Sequence, residues 1–507
     1  MGTRTLNSKR NIIVGILSNC LIPVFAFVIK SATVRYFGVE YNGLTGFFSS
    51  VFQVLNIAEL GFSTAIIVNL YKPLKDNDTV AIRGILAYFR RVYRIIGLVI
   101  LAAGIIVCPF IKILIGDTGG IGENIFILYL IYLAEKVCGF LLFAYKEALF
   151  NAAQRLDITK AVYIIIYFLR GCLQLLALIV FRNFYIFAIV FTLATVLYNI
   201  ALNILSKKKF AEYYPEGNID EGTKQEVYKQ VAGLSVSNVL GVSRDSLNSI
   251  IVTSYLGLYI AGQYSNYLTV YDAVIGFFLV ITKAIQASIG NSIVSESVEK
   301  NYADLTRMEF LHNIFVTACT VYMICLYQPF MKLWMGEKLM FSDPLMMLFV
   351  LYFYIRAMSE VRNAFFAALG YWWKAKWLFV AEAVINTLLM LILGKLFGVA
   401  GILIATGSAF LIVNYIGCTD LLFKEYFKNG RKEFYTNRII YTVITAITCG
   451  ISWYLCGMIP YEGIPGLIVR IAVCTLVLIF IVPTVMFGIK REYMKESVRF
   501  IRQIIKA

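Results

Sequence analysis

The chain is a succession of apolar runs, each long enough to cross a bilayer, and no motif in it constrains the fold as much. Charged or Gly/Pro/Asn clusters separate runs at 11–36, 43–71, 92–115, 124–146, 161–181, 184–205, 231–253, 261–293, 310–333, 344–362, 376–396, 398–421, 436–457 and 466–487. A membrane helix takes about 20 apolar residues, because hydrocarbon offers no partner to an unpaired backbone amide. Fourteen such runs predict an all-α polytopic membrane protein. Composition agrees: of 507 residues, 60% are hydrophobic and 15% charged, against about 45–50% and about 25% in soluble domains. A soluble enzyme, a secreted disulfide scaffold and a disordered chain are excluded. The N-terminal MGTRTLNSKR and the run behind it look like a signal peptide. The run is too long for one and no A-x-A site follows, so the reading is an uncleaved first helix.

An even number of spans puts both termini on one side. Of the 46 lysines and arginines, 33 fall on that side, five on the other and eight inside helices. Positive charge is retained in cytoplasmic loops, so the bias predicts cytoplasmic termini and explains the net charge of +16 without nucleic acid. The segment 295–309, with Glu296, Glu299, Asp304 and Glu309, is locally acidic, but acids count little in this rule. The short turn at 182–184 leaves open whether 161–205 is one element or two. The tail, 488–507, is basic and amphipathic. It has Val498, Ile501, Ile504 and Ile505 on one face, and reads as a helix on the anionic cytoplasmic leaflet.

The longest polar stretch, 206–230, follows the sixth run and suggests six plus six helices with an added pair. Tyr36-Phe37-Gly38-Val39-Glu40-Tyr41-Asn42-Gly43 aligns with Tyr255-Leu256-Gly257-Leu258-Tyr259-Ile260-Ala261-Gly262, 219 residues on. Ala148, Phe150, Ala152 and Lys160 align with Ala364, Phe366, Ala368 and Lys376, 216 residues on. The expected organisation is an N-terminal six-helix lobe (1–206), a cytoplasmic linker (207–230), a C-terminal six-helix lobe (231–422), an extra helix pair (423–487) and the tail. The lobes would be parallel repeats about a pseudo-two-fold along the membrane normal, as transporters use for alternating access.

No catalytic constellation is present: there is no P-loop, no nucleotide-binding glycine fingerprint, and short outer loops leave no platform for paired acids. The expectation is a protein that is not an enzyme. The ten cysteines hold no C-x-x-C pair and His312 is the single histidine, so no metal site is expected and the cysteines read as small packing residues. His312 reads as an interfacial side chain at a helix start. Ionisable groups inside spans cost about 2.5–3.5 kcal/mol each at mid-depth and mark sites. Lys30, Arg35, Arg244 and Lys283 are the candidate cavity cations. Glu59, Asp245 and Asp272 are candidates for coupling or charge balance, and Lys136 and Arg170, with Glu135, for helix–helix ion pairs or a secondary site. Arg356, Glu360 and Arg470 lie near helix ends, where long side chains reach the interface, and Glu382 receives no role. Tyr264 and Tyr267 are placed toward a sugar-sized cavity.

The stretches LNIAELGFSTAIIVNLYKPLKDND (55–78), YSNYLTVYDAVIGFF (264–278), QPFMKLWMG (328–336) and ALGYWWKAKWLFVAEAVINTLLMLILGKLFGVAGILIATG (368–407) resemble the Wzx-type flippases. These form the polysaccharide transporter family of the multidrug/oligosaccharidyl-lipid/polysaccharide superfamily. The resemblance runs from about residue 4 to 425, with Glu59-Leu60-Gly61 and Tyr71-Lys72-Pro73 its more specific pieces. It implies two six-helix lobes forming a V, often with two extra helices. It also implies a flippase of undecaprenyl-pyrophosphate-linked repeat units for surface polysaccharides, O-antigen and lipopolysaccharide among them, in a bacterial inner membrane. Implied as well are partners (membrane lipids, a polysaccharide polymerase, a chain-length regulator) and no cofactor, with coupling to H+ or Na+ left open. The family's cavity cations, carried over as helix positions only, fall on Lys30, Arg35, Arg244 and Lys283. A drug/cation antiporter of the same superfamily and a membrane-embedded polysaccharide polymerase stay as alternatives.

Overall fold

The structure, a computed structural model, describes residues 21–59 and 61–489. The expected tail helix lies outside the described residues, apart from the end of the last span. Among the described residues all regular structure is helical.

Helix α1 covers 21–36. Gly38 then turns the chain into α2 (Val39–Leu55). The second apolar run is not one rod. A 3₁₀ turn over Asn56–Glu59 and a left-handed Gly61 separate α2 from α3 (Phe62–Asp76), because Gly takes φ > 0 without a Cβ penalty. The break falls on the Glu59-Leu60-Gly61 signature. There follow α4 (Thr79–Val107), prolonged through Cys108–Phe110 into α5 (Ile111–Ile115), and α6 (Ile125–Leu141). Next are α7 (Tyr145–Ala152), α8 (Leu156–Leu176) and α9 (Phe184–Lys209). Helix α7 bends 51° from α6. A π turn (Ala177–Phe181) and Arg182 at φ 46° separate α8 from α9, so 161–205 is two elements. Helix α10 (Glu221–Ser295) is broken at Gly257. After it come α11 (Val298–Met335), α12 (Asp343–Ala357), α13 (Glu360–Ala368) and α14 (Lys376–Ala409), the last broken at Gly398. The π segments Phe410–Gly417 and Phe423–Phe427 flank α15 (Cys418–Leu422), and α16 (Arg431–Gly457) and α17 (Gly463–Ile489) close the chain.

Among the described residues these elements fall on the fourteen apolar runs, and eight helices, or nine with the bent α6–α7 pair, are long and apolar enough to cross a membrane. The chain is a multi-pass membrane protein. Its polar connections are shorter than the sequence suggests. The basic stretch 72–94 contains only the turn Asn77–Asp78, and the polar stretch after the sixth run reduces to residues 210–220. Side-chain caps let helices run on past their apolar part. Asp78 accepts from the Ala81 N–H (2.9 Å), and Asn183 from Ile186 (3.1 Å). Asp220 accepts from Thr223 at 2.8 Å, and the Thr223 hydroxyl and N–H hold its carboxyl below the usual carboxylate range.

Two compact units divide between Asn266 and Tyr267. In the first, Phe47, Phe48 and Phe52 of α2 meet Tyr129 and Tyr132 of α6 and Phe184 and Phe187 of α9 in one core. A second core joins Ala65, Ile66 and Leu70 of α3 to Phe89 of α4 and Leu149 of α7. In the second unit, α11, α16 and α17 pack together, with Phe310, Tyr441 and Val482 in one cluster.

The repeat is carried by the backbone. Gly38 (φ 115°) and Gly257 (φ 77°), 219 apart, break the chain with the same extended ψ. Gly120 pairs with Gly336, Gln154 with Gly370 and Arg182 with Gly398 at a spacing of 216, and all six have positive φ. Only glycine takes this region cheaply, so Gln154 (φ 58°) and Arg182 (φ 46°) are held there by the fold and not by preference. Within the first unit, α2 crosses α10 on glycines. A Cβ on Gly43 would stand 2.3 Å from the Leu258 carbonyl oxygen, and one on Gly262 would stand 2.1 Å from that of Val39. Gly43 and Gly262 are repeat partners, as are Val39 and Leu258, so the contact is reciprocal. Gly46 faces Ser265, its own partner 219 residues on. A contact in which each residue meets its counterpart's neighbour is what a local two-fold axis requires.

Candidate functional site

The close crossing of α2 and α10 sets up a polar junction that α1 completes. Lys30 of α1 reaches across, and its Nζ donates to the carbonyl oxygen (2.8 Å) and hydroxyl (2.7 Å) of Ser265. Asn42 of α2, buried, donates to the Lys30 carbonyl oxygen (3.3 Å) and to Oδ1 of buried Asn266 (3.2 Å). Further along the same pair of helices the Ser246 hydroxyl donates to Gln53 Oε1 at 3.0 Å. A lysine inside a span is expensive unless it is hydrogen-bonded, and Ser265 offers it two acceptors. The junction thus places a cation among amides and hydroxyls, chemistry suited to an anionic polar ligand.

The other expected site residues are spread more widely. Arg35 is exposed one turn beyond Lys30. Glu59, in the 3₁₀ break, is half-buried and accepts from the Tyr93 hydroxyl at 3.1 Å. Arg244 and Asp245 stand on the first half of α10, with side chains outside the described ones. Asp272 and Lys283 stand on its second half, in the second unit, and both are exposed. Lys136 pairs with its neighbour Glu135 at 3.0 Å, and Glu135 also accepts from Thr195 of α9 at 2.8 Å. Arg170 lies over the Tyr167 and Phe191 rings, at 4.2 and 4.7 Å. Tyr264 and Tyr267 are enclosed by protein. The Tyr267 hydroxyl donates to Gln328 Oε1 (2.6 Å) and accepts from the Phe341 N–H (3.0 Å), which makes it a packing clasp rather than a cavity wall.

His312 is not interfacial. It lies well inside α11, buried, with Nε2 2.8 Å from the Ala357 carbonyl oxygen and its ring edge-on to Phe278. It joins a polar group that sequence reasoning missed. In the second unit Arg438 of α16 donates to the Glu309 carboxylate of α11, both almost wholly buried. Arg362 of α13, 1% exposed, donates to Asn414 Oδ1 (3.1 Å), and Asn414 donates on to Glu382 Oε2 (2.8 Å). Tyr415 lies between the two guanidiniums, 5.7 Å from Arg362 and 5.9 Å from Arg438. Asn414 and Tyr415 belong to a π segment, a geometry that re-aims side chains and recurs at functional sites. The sequence signal was there: Glu309, Arg362 and Arg438 are charges at the edges of apolar runs. At such an edge a charge reads as part of the adjoining loop. Lys146, at the end of the run 124–146, is likewise buried on α7.

No protein-family profile matches the sequence, and no curated protein matches it. Solved structures do match its fold. The lipid II flippase MurJ, in an inward closed conformation, superposes with a TM-score of 0.67 at 15% identity, over 94% of this chain and 99% of that one. An inward-facing multidrug resistance MATE transporter of the MOP superfamily gives 0.60 at 12% identity, over 79% and 96%. A MATE transporter from Vibrio cholerae gives 0.56 at 14% identity, over 84% and 99%. The chain therefore has the fold shared by these membrane flippases and transporters. At such identities the likeness defines architecture, and substrate has to be argued from the site.

Proposed function

We propose that this protein is a flippase that carries undecaprenyl-pyrophosphate-linked oligosaccharides from the cytoplasmic to the outer leaflet of a bacterial inner membrane by alternating access. The observation that supports the reading is Lys30, a cation whose ammonium is held by Ser265 at the α1–α2–α10 junction. It belongs to a fold matched over nearly its whole length by a lipid flippase. A diphosphate and several sugars cannot pass about 30 Å of hydrocarbon unaided. The protein has to offer cations and hydrogen-bonding groups to the head while the polyprenyl tail stays in lipid. In this reading Lys30, Arg244 and Lys283 receive the diphosphate in turn, and Arg35 stands at the rim. Glu59, Asp245 and Asp272 balance them or couple transport to H+ or Na+. The lobes 1–206 and 231–422 are the bodies that rock, and both termini are cytoplasmic.

The test is transfer of an undecaprenyl-pyrophosphate-linked oligosaccharide in proteoliposomes, scored by access of a membrane-impermeant glycosidase to the sugars. Lys30→Gln, Arg244→Ala and Lys283→Ala are each expected to lower the transfer rate at least tenfold with normal insertion. Transfer unchanged in all three overturns the proposal. A second reading, a drug/cation antiporter, draws on the buried carboxylates Glu309, Glu382 and Glu360 and on the MATE-like fold. Proton-driven efflux of cationic dyes by the same proteoliposomes, with no transfer of the lipid-linked sugar, would establish it instead.

A further inference from the structure

We propose that Cys325, Cys456 and Cys474 form a binding site for a thiophilic d10 cation, Zn2+ in the first instance. The three thiols come from three helices, α11, α16 and α17, and nothing in their sequence spacing announces a site. Folding brings their sulfurs within 4.8 Å of one another, all three buried, with Cys456 Sγ and Cys474 Sγ 3.7 Å apart. Tetrahedral Zn–S bonds of about 2.3 Å require sulfurs about 3.8 Å apart. The pair already stands at that separation, and the third thiol needs only a rotamer adjustment.

A cysteine that serves as a small apolar filler has no reason to meet two others. Cys418 is also buried, but it stands apart from this trio. The surroundings fit an ion. Cys325 and Cys456 line a cavity of about 470 Å³ together with Gln328, Asp343, Met346 and Arg470. The fourth coordination position therefore opens on a space with room for water and a carboxylate, and three protein ligands with one open position is a known zinc arrangement. Binding releases the three S–H protons and leaves three thiolates around a dication, one negative charge in excess. Arg470 supplies the opposite charge. Its guanidinium donates to the Tyr461 (3.0 Å) and Ile459 (3.3 Å) carbonyl oxygens at the head of α17 and lines the same cavity as Cys456, whose thiol faces the Arg470 carbonyl oxygen at 4.0 Å. Residue by residue the trio ties α16 and α17 to α11, so the ion would clamp the C-terminal helix pair to the helix it packs on.

The experiment uses the full chain, purified reduced in detergent, stripped with a chelator and titrated with Zn2+ or Cd2+. One equivalent per chain is expected, with a thiolate-to-cadmium charge-transfer band in the ultraviolet. Zn2+ is expected to protect the three cysteines from alkylation, as read by peptide mass spectrometry. Cys325→Ser, Cys456→Ser and Cys474→Ser should each weaken binding at least tenfold, while Cys418→Ser, a buried cysteine outside the cluster, should leave it unchanged. Alkylation mapping of the unmutated protein keeps the test valid if a serine variant folds poorly. Absence of stoichiometric binding or of zinc protection overturns the proposal. So does a Cys456–Cys474 disulfide, two hydrogens lighter by mass, in protein isolated without reductant from metal-replete cells.

Discussion

Among single side chains, the Glu309–Arg438 pair has the clearest energetic signature. Two charges taken out of water gain little net stability from each other, yet removing one strands the other and costs about 3–5 kcal/mol. Arg438→Leu is therefore expected to lower the thermal midpoint in detergent steeply, and Glu309→Met to do the same. The double variant Glu309→Met/Arg438→Leu should recover most of the loss. A double variant as unstable as the sum of the two would show that the pair is not an isolated unit. Gln154 and Arg182 present the opposite case. Both sit at positive φ, which costs a residue with a side chain about 1–2 kcal/mol. Gln154→Gly should be neutral or stabilising by up to about 1 kcal/mol, measured as a rise in the same midpoint, whereas Gly370→Gln, its repeat partner, should lower it.

At the scale of elements, the α2–α10 crossing depends on having no side chain at two places. A valine at Gly262 would drive its Cβ to 2.1 Å from the Val39 carbonyl oxygen. Overpacking of this kind costs about 1–3 kcal/mol or more. Helix separation there would also pull Ser265 from Lys30 and Asn266 from Asn42. Gly262→Val is expected to reduce both stability and transfer. Gly290→Ala, on the same helix but facing open space, should change stability by no more than about 1 kcal/mol, and upward if at all, because alanine favours the helix. Equal effects of the two substitutions, in a thermal-shift and transfer assay, would remove the crossing from the account.

At the scale of the whole molecule, the prediction is sidedness. Lys208, at the end of α9, and Asp343, at the start of α12, are both exposed, and the loop charge bias assigns them to opposite faces. In a background with Cys20 and the partly exposed Cys108, Cys138, Cys172 and Cys319 replaced by alanine, Lys208→Cys should react with a membrane-impermeant maleimide only in inverted vesicles. Asp343→Cys should react only in intact cells with a permeable outer layer. Labelling of position 208 from outside would overturn the orientation and with it the direction of the proposed transfer.

Hydropathy alone determined that this chain is helical, membrane-spanning and built on fourteen runs, because in hydrocarbon each span must satisfy its backbone within itself. The near-constant repeat offset was also legible, since Gly38 and Gly257, or Gly43 and Gly262, have to be glycine wherever two backbones turn or touch. Lys30 was legible as a costly charge. Its contact with Ser265 was not, because Ser265 lies more than two hundred residues away and reaches it only through the helix crossing. The ends of the helices misled for a related reason. A charge at the edge of an apolar run reads as a loop, and only packing decides whether it is solvated, like Lys208, or buried against an opposite charge, like Arg438. The same holds for the three thiols. Each is an unremarkable small residue in its own helix, and only the packing of α11, α16 and α17 makes them one group.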